Sequence, residues 1–316
     1  MQDAGGTLSV DRKVDLGALG GSVARHRKEK RVRLFFRATA LLSIVVSALI
    51  VLSLTGRALT FLTSVDLGAL WTDGWFPRRG MFDLKTIIVG TLIVAGIAML
   101  VAAPLGLGAA IYLSEYASPR IRRLLKPIIE ILAGIPSVVL GFFAIRVINP
   151  QLVQNLSDNA TFFNLAAAGV AVGVLVTPLV ATISEDSMRA VPMSLREASY
   201  GLGARKRTTT LRIVFPAAIS GIVASLIVGV SRAIGETMVV AIAAGATGGS
   251  LFTVNPLEGG QTMTAAMTAL AIGSDQVKGA ENTFESLFFV GLLLFLMTLI
   301  LNVASERFVR KVRQRY

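Results

Sequence analysis

The chain has 316 residues, of which 53% are hydrophobic and 16% charged, with a formal net charge of +12 and a mean hydropathy of +0.69. No water-soluble domain of this length needs so much apolar surface, so the composition reads as that of an integral membrane protein. Cysteine is absent, which excludes disulfides, thiolate chemistry and cysteine-based metal sites, and the one histidine, His26, reads as a solvated group in a basic tail.

Residues 1–34 form a basic tail, polar and Gly-rich over its first 24 positions. A spanning helix needs about 20 mostly apolar residues. Six such runs are predicted, over 36–56, 86–113, 124–148, 164–184, 217–246 and 284–304, within a transmembrane body of 35–306. The first run is longer than a signal-peptide core and no small-x-small site follows it, so it is expected to be a retained anchor. The link over 57–85 carries Trp71, Trp75 and Phe76-Pro77 and is expected to lie as an amphipathic segment at the outer interface.

Spans two to five are rich in small residues and helix breakers. Gly169/Gly173 and Gly221/Ser225/Gly229 recur at four-residue spacing and are expected to let helices approach closely. Pro104, Pro136 and Pro178 free backbone carbonyls that must face protein or water. Spans one and six, richer in Leu, Val and Phe, are expected at the lipid-facing periphery. Glu130 sits one turn beyond Lys126, which predicts an i,i+4 ion pair. Arg146, near the outer end of span three, is expected to snorkel to the interface, with lining of an anion entrance as the alternative.

Lys and Arg alternate between links. They are dense in the tail (Arg25 to Arg33), at Arg120, Arg122, Arg123 and Lys126, in the loop over 185–216, and in the C-terminal tail over 307–316. The intervening links are poorer: Arg57, Arg78, Arg79 and Lys85 in the first, none over 149–163, and Lys278 in the last. Both ends and the 185–216 loop are therefore expected in the cytoplasm. This scatter over four segments accounts for the charge better than one nucleic-acid-binding patch, so no nucleic-acid partner is expected.

Inside span five, Arg232 and Glu236 are four apart and share a helix face. A charge there costs a few kcal/mol unless it is paired or faces a polar cavity. Two readings stay open: a self-neutralising pair that fixes helix packing, or an anion-binding or gating pair beside Thr237.

Between spans four and five the chain reads Arg196-Glu197-Ala198-Ser199, then Gly203, Ile213 and Phe215-Pro216. Ser194 followed by Glu197 predicts a capping box opening a short helix, which Gly201 and Gly203 end. The spacing matches the signature loop of the membrane subunits of ABC-type importers, with Ser199 for the second Ala and Phe215 for Leu. No G-x-x-x-x-G-K-[ST] phosphate loop occurs, so the chain is not expected to be its own ATPase. With no polar triad or metal cluster at membrane depth, it is not expected to be an enzyme.

Four phrases extend the resemblance: Pro104 to Tyr116 (PLGLGAAIYLSEY), Leu132 to Phe142 (LAGIPSVVLGF), Ala190 to Ala198 (AVPMSLREA) and Arg232 to Met238 (RAIGETM). Over roughly residues 34 to 316 the chain resembles the phosphate-specific (Pst) importer permeases, PstC-like more than PstA-like because Met238 follows Thr237. The resemblance implies an all-α, polytopic fold of six transmembrane helices, the type I importer permease (MetI-like) fold. It implies a PstA-like second permease, a PstB-like cytoplasmic ATPase dimer that binds the ATP, a PstS-like external phosphate-binding protein, and surrounding membrane lipid. The family's path-lining charges match Arg232 and Glu236, with Thr237 beside them. Its ATPase-coupling loop matches Arg196, Glu197, Ala198, Ser199, Gly203, Ile213 and Pro216. It implies import by alternating access; a permease for another oxyanion or small solute, or a membrane scaffold for phosphate sensing, are the rival readings.

Overall fold

The computed structural model describes residues 23–72, 74–245, 249–272 and 282–312; the tail over 1–22, Lys278, Arg313 and Arg315 lie outside the described residues. Two units are distinguished, 1–53 and 54–316. Helix α1, Val23–Ser64, begins in the first unit, where every residue from Lys28 to Ile50 is exposed. The exposed stretch passes from a charge-bearing segment over 28–37 to an apolar run that begins at Ala38.

The second unit is helical, and its sequence order follows from where backbone breakers fall. After α1, a small hairpin pairs β1 (Trp75–Phe76) antiparallel with β2 (Met81–Phe82). Asp83 then opens α2, Leu84–Ile111, accepting from Lys85 N and Thr86 Oγ1. A π-turn over Tyr112–Tyr116 ends that helix. Then come α3 (Pro119–Ala133), capped by Ser118, and α4 (Ser137–Phe143), which runs on as a π-helix to Val153 and a last turn to Leu156. Helix α5 is Leu165–Arg189, α6 Met193–Gly201, and α7 Lys206–Thr209, continued to Ala217. Helices α8 (Ile219–Ile234), α9 (Met238–Ala243), α10 (Met263–Ile272) and α11 (Thr283–Val312) complete the chain.

Among the described residues five helices are long and apolar enough to cross a membrane. They become six if Lys206–Ala217 and Ile219–Ile234, bent by 70°, form one broken span. The core lies between α2 and α5, whose facing stripes carry Ala98, Ala102, Val172, Val176 and Val180, all fully buried. The small residues act as predicted there. A Cβ added at Gly173 would fall 2.7 Å from Val101 Cβ and 2.8 Å from the Ala98 carbonyl, so only hydrogen permits the approach.

Four expectations need correction. The run 124–148 is not one span: α3 stops at Ala133, Pro136 withholds an N–H, and the apolar helix starts afresh at Ser137. The candidate span is Ser137–Leu156. The run 217–246 is interrupted as well, because α8 ends at Ile234 and the chain resumes as α9 after Gly235–Thr237. Trp75 does not lie at an interface. It is 1% exposed and packs edge-on against Phe82, while Trp71 is exposed. Finally, Lys126 pairs with Glu185 and Asp186 on α5, in place of the predicted Glu130.

Candidate functional site

The short helix α6 begins where Pro192, with ψ 139°, turns the chain so that Met193 is its first residue. Ser194 therefore falls inside the helix and the predicted capping box does not form; no side chain caps this end. At the other end Gly203 adopts φ +77°, the left-handed region that admits glycine at no steric cost. Its N–H donates to the Tyr200 carbonyl at 2.9 Å, and Ala204 N to Ser199 O at 3.1 Å, closing the helix.

What holds α6 in place is Arg196. Its guanidinium donates to the carbonyls of Val191 (2.6 Å) and Met188 (2.8 Å), and to Glu115 Oε1 (2.9 Å). Arg196 and Glu115 are 11% and 4% exposed, so this pair is largely withdrawn from water. The planar fork thus ties α6 to the end of α5 and to the π-turn after α2 at once. Ser199, the departure from the second Ala of the signature loop, is buried and hydrogen-bonds Thr209 Oγ1 at 2.8 Å, clipping α6 to α7. Glu197, Ala198, Gly203 and Pro216 are exposed, and Ile213 is half-buried. Apolar side chains crown the same surface: Leu202 is 89% exposed, Met193 65% and Tyr200 43%. The helix is thus clamped at its base and apolar and exposed at its tip.

The same end of α5 carries a second set of charges, which sequence spacing alone did not reveal. Glu185, wholly buried, receives Arg122 and Lys126 of α3. Partial burial alone would lower the Lys126 pKa. Its hydrogen bond to Asp186 and ion pair with Glu185 outweigh it and hold the ammonium above its usual value.

The second candidate site lies at the break between α8 and α9. Glu236 stands outside any helix, yet its carboxylate still meets Arg232, Oε2 to Nη2, at 3.9 Å. Its Oε1 accepts from Val239 N at 3.4 Å, so the buried carboxylate also caps α9. Thr264 Oγ1 donates to the Glu236 carbonyl at 2.7 Å, fixing the break against α10. Thr237 is half-buried, its hydroxyl donating to Gly235 O at 3.3 Å. Glu236 is 5% exposed and Arg232 58%, so the acid is set in protein and the cation is presented outward. Arg146 is exposed on the π-helical stretch after α4. Arg232, Glu236 and Thr237 are thus together; the α6 residues form a separate site.

The site geometry is that of an apolar helical bundle with a short helix clamped at its edge and a charged break within it. The family model described as "Binding-protein-dependent transport system inner membrane component" matches residues 102–314, and the chain belongs to this family. It is a multi-pass inner-membrane protein, and the family implies an ATPase and an external binding protein as partners. The chain is 33% identical over 303 residues to the "Probable ABC transporter permease protein YqgH" of Bacillus subtilis, covering 91% of this chain and 94% of that one. It is 31% identical to the "Phosphate transport system permease protein PstC 1" of Mycobacterium tuberculosis, over 76% of each chain. The fold matches the crystal structure of a bacterial ABC transporter involved in the import of the acidic polysaccharide alginate. The TM-score there is 0.63 at 13% identity, over 92% of this chain and 100% of that one.

Proposed function

We propose that this chain is the PstC-like permease subunit of an ATP-driven, binding-protein-dependent importer of inorganic phosphate. The observation that carries the transport mechanism is the clamped handle: α6 is fastened by Arg196 to two helix ends while Leu202 and Met193 stand in solvent. The phosphate assignment is supported by relatives whose names state phosphate transport.

In this reading α6 fits a groove of a PstB-like ATPase dimer, which binds the ATP, and both termini lie in the cytoplasm with it. A PstA-like permease completes the pore and a PstS-like protein delivers phosphate at the far side. Closure of the ATPase dimer drives the two handles together, and the spanning helices open outward. Phosphate then passes Arg232, whose exposed guanidinium matches a tetrahedral oxyanion, while Glu236 tempers its field and Thr237 offers a hydroxyl. Hydrolysis returns the pore to its inward state.

Uptake of labelled phosphate into proteoliposomes containing the whole complex tests this. Uptake should need ATP, should resist excess sulfate and molybdate, and should fall in Arg232→Gln with assembly intact. Sulfate or molybdate displacing phosphate would assign a different oxyanion; full uptake by Arg232→Gln would remove that residue from the path.

A further inference from the structure

Two separate pieces of the chain are fastened to the last turns of α5. Arg196 holds α6 there through the carbonyls of Met188 and Val191. One turn earlier Glu185 holds α3. Arg122 Nε and Nη2 each lie 2.7 Å from Oε1, and Lys126 Nζ lies 2.9 Å from Oε2 and 2.9 Å from Asp186 Oδ1. The Glu185 side chain is 0% exposed, whereas Arg122 and Lys126 remain about a quarter exposed at 24% and 26%. Helix α3 buries none of its own residues. Leu125 and Ile129 are only half-buried on the face that carries Arg122 and Lys126, so the ion pairs add to a thin apolar contact in fixing α3 to α5. Arg122 supplies the aligned hydrogen bond at Oε1, whereas Lys126 meets Oε2 as an ion pair without hydrogen-bond alignment. A carboxylate this deep is tolerated only when its charge is so compensated.

Helix α3 leads into the apolar α4 through Gly134-Ile135-Pro136. The helical ladder stops there, with Ile135 N reaching Leu132 O at 3.3 Å and Val139 N starting afresh on Pro136 O at 3.0 Å. A helix interrupted at a Gly and a Pro bends at that place before it bends elsewhere.

We propose that Glu185 is a positioning residue that passes the movement of the handle to α3. Helix α3, the end of α5 and α6 then move as one body, and the third span flexes at Gly134–Pro136. This rests on the reading that the ATPase pulls on α6. Loss of the Glu185 charge frees α3 from that body, so ATP is hydrolysed without the third span following.

The test uses the assembled complex in proteoliposomes. It reads co-purification of the ATPase, ATP hydrolysis, and phosphate taken up per ATP. In Glu185→Gln the ATPase should co-purify and hydrolyse ATP, while uptake per ATP falls by about tenfold or more. Unchanged uptake per ATP in an intact complex overturns the proposal. Failure of the handle reading looks different: Leu202→Asp at the α6 tip would then leave ATPase co-purification unaltered. A second variant covers a Glu185→Gln chain that does not assemble. Because the chain has no cysteine of its own, Lys126→Cys with Asp186→Cys can be joined by a short bifunctional thiol reagent after assembly. Losing Lys126 and Asp186 leaves Glu185 with Arg122 alone, so the unjoined variant should couple less well than the parent chain. If α3 and α5 move as one, joining them restores uptake per ATP to within about twofold of the parent. Loss of uptake on joining means that the two helices part during the cycle, and sinks the proposal.

Discussion

Removing the Arg196 guanidinium is the most informative perturbation of the handle. In Arg196→Ala three donors disappear at once, and Glu115, 4% exposed, loses its cation. Breaking a buried pair by deleting one partner costs about 3–5 kcal/mol. Glu115 keeps Ser114 Oγ at 3.3 Å and Arg196 is not fully buried, so the lower end of that range applies. About 3 kcal/mol shifts the balance between seated and detached α6 by about 100-fold. Hydrogen exchange of the Met193–Gly201 amides, followed by mass spectrometry on the assembled complex, reads that balance directly. Exchange should accelerate by about that factor while amides in α2 and α5 are unchanged. Arg196→Lys should fall between, because an ammonium keeps the charge but cannot span two carbonyls and a carboxylate. Equal protection in Arg196→Ala and the parent chain would refute the clamp.

Gly203→Asp places a Cβ residue at φ +77°, a cost of about 1 kcal/mol, and adds an acid beside the apolar tip. ATPase recovered with the permease on affinity purification should drop, and equal recovery would contradict the handle's role. Gly173→Leu drives a side chain into Val101 and the Ala98 carbonyl. It should lower the thermal midpoint and the yield of folded permease, and an unshifted midpoint would mean that α2 and α5 can part without loss. Glu258 accepts hydrogen bonds from Thr253 and Asn255, which hold its carboxyl below the usual range. A depressed folded pKa stabilises above the unfolded value and is lost as pH falls through the folded one. Exchange protection of residues 249–262 should therefore decline as the pH falls below the ordinary glutamate range; protection independent of pH there would contradict it.

The short helix α6 and its stop at Gly203 were legible because their signal is a fixed spacing of particular residues. The Arg232–Glu236 pair was legible from its interval, and the contact survives although the helix between does not. Helix continuity was misread for one reason in both interrupted spans. Apolar residues lie on each side of the break, so hydropathy runs straight across Pro136 and Gly235. The Glu185 cluster was out of reach because Lys126 joins a partner about 60 positions away, where helical spacing carries no information. Ser194 failed as a cap because Pro192 had already set the start of α6. Trp75 was misplaced because a paired hairpin strand, closed against Ser250 by two backbone hydrogen bonds, draws it inward.

The central claim is that this chain carries phosphate only when an ATPase moves α6. Labelled phosphate uptake should be measured in proteoliposomes that hold the complete complex with either the parent chain or Leu202→Asp, with ATP supplied on the ATPase side. The parent should accumulate phosphate in an ATP-dependent manner, and Leu202→Asp should not. Equal accumulation by both, or accumulation without ATP, would contradict the account.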